Sequence, residues 1–69
     1  MFSVGAKFTL ASAVGAAFGL GEVGKTYTVA RKRVGAGGTS YWMTRDDGGQ
    51  GIPAVPEYEL ADQGYWVPA

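Results

Sequence analysis

The sequence predicts a mainly β fold: a small bent antiparallel sheet or barrel with one short helical turn. Three observations carry that expectation. Twelve glycines and three prolines in 69 residues favour short elements joined by tight turns over long helices. From Thr26 onward, aromatic and branched residues alternate with polar ones, the period of a half-buried strand. A segment near the start also recurs. Val4-Gly5-Ala6-Lys7-Phe8-Thr9-Leu10-Ala11 aligns without a gap on Val23-Gly24-Lys25-Thr26-Tyr27-Thr28-Val29-Ala30. Each copy reads as a turn glycine feeding a strand, so the two strands should have matched roles.

Between the two copies, Ser12 to Gly21 is rich in alanine and glycine, and Ala11, Gly15 and Gly19 form a small-residue stripe. Glycine costs roughly 1 kcal/mol against alanine inside a helix, so a loop with one helical turn is expected. Thr26 to Val34 is a strand with Tyr27 and Val29 on one side and Arg31 and Arg33 further along on that same side. Val34 to Thr39 is a glycine hairpin loop, and Ser40 to Arg45 is the return strand. Asp46-Asp47-Gly48-Gly49 is a tight turn, since Asp and Gly supply turn geometry cheaply. Gln50 to Ala54 makes a third strand, held to an edge or an end by Pro53. Val55 to Leu60 reads as a helical turn with Pro56 at its first position, and Glu57 and Glu59 as a solvated flank. Tyr65-Trp66-Val67 either closes the core or offers an aromatic patch, to a partner or a second copy.

Length and composition bound the function. One domain, residues 1–69, is expected, with a modest core and no disulfide or ordinary zinc site, because the chain holds neither cysteine nor histidine. The absence of cysteine fits a reducing compartment, and a cytoplasmic location is expected. No cofactor is expected, and no catalysis, because no histidine or carboxylate constellation supplies a base to Thr, Ser or Lys. The apolar run 8–20 stands behind Lys7 as a secretory core would, but it is too short to span a membrane, and no membrane role is expected. Net charge is zero, yet residues 1–34 carry +4 and residues 35–69 carry −4. Either the halves attract across the fold or the surface is dipolar.

Gly19-Leu20-Gly21-Glu22-Val23-Gly24-Lys25-Thr26 matches the phosphate-binding pattern G-x-x-x-x-G-K-[ST]. That loop needs a helix to open beneath the phosphates, whereas Tyr27-Thr28-Val29-Ala30 is strand-forming, so the match is read as coincidence. Asp46 and Asp47 are read as turn residues rather than a metal pair. Arg31, Lys32, Arg33 and Arg45, with Tyr27, Tyr41 and Trp42 on neighbouring strands, could meet phosphates and stack on bases.

From Lys25 to Leu60 the chain resembles an SH3-like barrel: strand, glycine loop, strand carrying Tyr41-Trp42, Asp-Gly turn, strand and proline-started turn. Gly51-Ile52-Pro53-Ala54-Val55-Pro56-Glu57-Tyr58 is similar to the segment around the short helical turn of SH3 domains. The resemblance implies a single SH3-like β-barrel domain over residues 1–69. It does not imply proline-rich ligands, since the Ala-Leu-Tyr-Asp-Tyr-like segment, the acidic loop and the paired tryptophans are missing. In size and style the chain is also similar to compact accessory proteins of bacteriophages and prophages, which implies a regulator or inhibitor of a host protein. The leading expectation is a protein-interaction module with contact residues Tyr41, Trp42, Arg33, Arg31, Lys32 and Arg45. The alternative is single-stranded nucleic-acid binding through 31–33, with Tyr27 or Tyr41 as stacking platforms. The third is a structural homo-oligomer, a homodimer being the simplest.

Overall fold

The computed structural model describes residues 1–12 and 21–69. Among these residues, five antiparallel strands form one sheet: β1 (Lys7–Leu10), β2 (Thr26–Gly35), β3 (Gly38–Arg45), β4 (Ile52–Pro56) and β5 (Trp66–Pro68), with a helical turn α1 (Glu57–Leu60) between β4 and β5. The order across the sheet is β4-β3-β2-β1-β5. The fold is therefore the bent antiparallel sheet, and the barrel alternative is corrected: β4 and β5 remain at opposite edges. The expected loop over Ser12 to Gly21, the stripe at Gly15 and Gly19, and the first two residues of the phosphate-loop match lie outside the described residues, apart from Ser12 and Gly21. Lys25 leads into strand β2, not into the helix that a phosphate loop requires.

The repeated segment explains how the sheet starts. The two copies pair with each other about a local two-fold axis between Phe8 and Tyr27, which stand opposite one another between the pairs Lys7–Thr28 and Thr9–Thr26. The bonds that flank this axis come in matched pairs. The Gly5 N–H donates to Val29 O (2.8 Å) and the Gly24 N–H to Leu10 O (2.9 Å). The Val29 N–H donates to Ala6 O (2.9 Å) and the Leu10 N–H to Lys25 O (3.1 Å). Gly5 and Gly24 both adopt positive φ, 96° and 87°, a conformation open to glycine at little steric cost.

One face of the curved sheet holds the core. Phe8, Leu10, Tyr27, Val29, Tyr41, Met43, Ile52, Val55, Leu60 and Trp66 are buried, with Phe2, Ala6 and Tyr65 packed against them. The Tyr27 and Trp66 rings meet edge to face at 5.4 Å, an arrangement favoured by the ring quadrupoles. Trp66 is thus a core residue, and the core-closing reading of the C-terminal aromatics holds for it. The hairpin loop between β2 and β3 is tighter than expected. Gly35 and Gly38 pair, so only Ala36 and Gly37 make the turn.

Pro56 ends β4 in an extended conformation (φ −61°, ψ 148°) and precedes the helix instead of opening it. Glu59 is buried, at 6% exposure, because a single turn that packs Leu60 onto the sheet carries its neighbour with it. Glu57 accepts a hydrogen bond from the Tyr41 hydroxyl. Neither carboxylate is the free solvated flank expected from sequence.

Gly51 is where a backbone passes close. A Cβ there would stand 2.5 Å from Met43 O, whereas at Gly49 the nearest atoms it would meet are those of the Arg45 guanidinium, from 1.9 Å. A guanidinium can swing aside and a paired strand cannot. Gly51→Ala is expected to cost about 1–3 kcal/mol, and more than Gly49→Ala, in urea unfolding of the two variants. Equal midpoints would contradict the packing at Gly51.

Candidate functional site

Trp42 is on the middle strand of a three-strand patch, and both neighbours carry an extra residue beside it. On β2, Val29 pairs with Met43 and Arg31 with Trp42, leaving Ala30 as the bulge. On β4, Val55 pairs with Tyr41 and Ile52 with Met43, so Pro53 and Ala54 together oppose Trp42. A bulge bends its strand and re-aims the side chains beyond it. The expectation that Arg31 and Arg33 share a side with Tyr27 and Val29 is therefore corrected. Past Ala30 the alternation inverts, and Arg31 and Arg33 stand on the outer face with Trp42, while Lys32 is opposite Tyr41 on the other.

The outer face has shape as well as charge. A shallow hollow of about 360 Å³ is lined by Arg31, Arg33, Ser40, Trp42, Pro53 and Ala54. A second, of about 330 Å³, lies against Ala30, Arg31 and Trp42. Trp42 is 47% exposed, which leaves a large aromatic surface in water on a strand flanked on both sides.

The six expected contact residues separate. Arg31, Arg33 and Trp42 come together. Lys32 is exposed on the core-side face, where its Nζ approaches Met1 Sδ at 3.0 Å. Tyr41 is fully buried. Its hydroxyl accepts from the Phe2 N–H at 2.9 Å and donates to Glu57, and burial, with that bond to Glu57, pushes its pKa up. Tyr27 is fully buried too, so neither tyrosine can be the stacking platform envisaged from sequence. Arg45 is at the far end of β3, bonded through Nη1 to Glu22 (2.7 Å) and through Nε to Asp47 (2.6 Å). Sequence reasoning missed Ser40, Pro53 and Ala54. A proline inside a strand is a bulge signal as much as an edge signal, and Pro53 could have been read that way.

The charge asymmetry resolves into two parts. Lys7 pairs with Asp46 (2.9 Å), Lys25 with Asp47 (3.5 Å) and Arg45 with Glu22 and Asp47, so much of it is cancelled across the fold. Among the described residues, Arg31, Lys32 and Arg33 take no part in these ion pairs, which concentrates uncompensated positive charge on the far half of β2.

The Asp46-Asp47 turn is structural. The Asp47 carboxylate takes hydrogen bonds from Arg45 and from the Gly49 N–H at 2.9 Å. These, the Arg45 bond first, hold its pKa down at about 2, and bonds from Thr28 and Lys7 lower that of Asp46. A carboxyl whose folded pKa lies below its unfolded value, near 3.9, adds stability at higher pH that fades as pH falls through that window. The urea midpoint should hold level from pH 7 down to about 4 and then drop toward pH 2, with a smaller drop in Asp47→Asn. An identical acid slope in that variant would contradict the Arg45–Asp47 assignment.

Among the described residues, no helix is long and apolar enough to cross a membrane. No family model, curated protein or solved structure matches the chain.

Proposed function

We propose that the chain is a non-enzymatic protein-interaction module whose contact face is the outer surface of β2, β3 and β4. The observation that carries this reading is the half-exposed Trp42 set in a hollow between Arg31, Arg33 and Pro53-Ala54. Tryptophan and arginine are among the residues most enriched at interface hot spots. An aromatic with apolar neighbours and a charged rim is the usual anatomy of a recognition patch. The resemblance of the segment from Lys25 to Leu60 to SH3 domains also favours reading the chain as a small β-rich binding domain.

The test is recovery of partners from a bacterial lysate on the immobilised chain, with and without nuclease, beside Trp42→Ala. A protein retained after nuclease and lost with Trp42→Ala is the expected result. Recovery abolished by nuclease would turn the case to nucleic acid. A defined oligomer in light scattering with no other ligand would favour the structural-subunit alternative.

A further inference from the structure

Resting on that reading and taking it further, we propose that the Trp42 face receives an acidic segment of a partner protein. An apolar side chain of the segment seats against Trp42, Pro53 and Ala54, and its carboxylates meet Arg31 and Arg33. Charge complementarity favours this occupant. Lys7, Lys25 and Arg45 each have a carboxylate within 4.0 Å, whereas the two arginines lining the hollow have no such ion pair among the described residues. Both are arginine, whose planar fork matches a carboxylate through two parallel bonds.

The geometry also selects against other occupants. Addition of a strand at an edge is disfavoured, because β4 carries Pro53 and Pro56 and β5 carries Pro68, each lacking a backbone donor. A second copy docking two-fold through the same face would set Arg31 and Arg33 against themselves or one another. A single-stranded nucleic acid gains most from successive bases stacked on successive aromatics. With Tyr27 and Tyr41 buried, Trp42 is, among the described residues, the one aromatic that lines the hollow. An apolar side chain flanked by carboxylates uses what the face offers: one indole, one proline, one alanine and two forks.

The experiment selects binders to the full chain from a random twelve-residue peptide library displayed on yeast, then measures selected peptides by anisotropy. Selected peptides are expected to be enriched in Asp and Glu around one large apolar residue. Arg31→Ala/Arg33→Ala should weaken them at least tenfold, as should replacing their acids by Asn and Gln. Arg31→Lys/Arg33→Lys, which keeps the charge and loses the fork, should fall between. Thermal melts confirm that the variants fold. Peptides that need Trp42 but show no acidic enrichment would overturn this inference and leave the interaction reading standing. Failure to select any peptide, or tighter binding of a fluorescein-labelled oligothymidine twelve-mer, would overturn both.

Discussion

Trp66→Ala is expected to remove most of the domain's margin of stability. Trp66 is fully buried, and its backbone pairs with Leu10 across β1 and β5. It is the largest of the fully buried side chains. Truncating a buried tryptophan costs about 3–5 kcal/mol, because the transfer energy is lost and the cavity collapses only partly. A chain of this size has only about 3–10 kcal/mol in total, and each kcal/mol moves the melting midpoint by about 4–8 °C. A fall of about 15–30 °C in a circular-dichroism melt is therefore predicted, with a smaller fall for Trp66→Phe, which keeps a ring against Tyr27. A Trp66→Ala midpoint within about 5 °C of the parent would contradict its place in the core.

Trp42→Ala should give the opposite pattern. Trp42 is half exposed on the outer face, so removing it leaves no buried cavity and costs only its covered half and its cross-strand contacts, about 1–2 kcal/mol and well short of Trp66→Ala. As the anchor of the proposed contact face it should cost the complex about 2 kcal/mol or more, roughly a thirtyfold loss of affinity. Two tryptophans in one short chain would then separate cleanly, one by melting and the other by binding. A Trp42→Ala chain that binds as the parent does would remove the face from the account. One that fails to fold would assign Trp42 to the core.

How far the sequence reveals this arrangement depends on the residue. The strand from Thr26 is legible because Tyr27 and Val29 alternate with Thr26 and Thr28, and that period is a local property. The matched roles of the two Val-Gly segments are legible for the same reason, and their two-fold pairing is what gives those roles a common geometry. The side on which Arg31 and Arg33 stand is not legible from alternation. A bulge at Ala30 inverts every position after it, and a bulge is chosen by the pairing of β2 with β3 and not by β2 alone. For the same reason Tyr41 and Trp42, adjacent in sequence, could not be assigned to inside and outside without knowing which face the core occupies. The buried Glu59 and the bonded Glu57 depend on how one helical turn packs on the sheet, and no local pattern reports that.

The two indole N–H groups allow the most direct test that the outer face, and not the core side or the exposed Tyr58 on α1, receives the partner. In a proton–nitrogen correlation spectrum of the labelled chain, a selected peptide or recovered partner is added in steps. The Trp42 indole signal and the Arg31, Arg33, Ser40 and Ala54 amides should shift together, while the Trp66 indole signal stays in place. Shifts centred on Tyr58, or on Trp66 with Trp42 unmoved, would contradict the account.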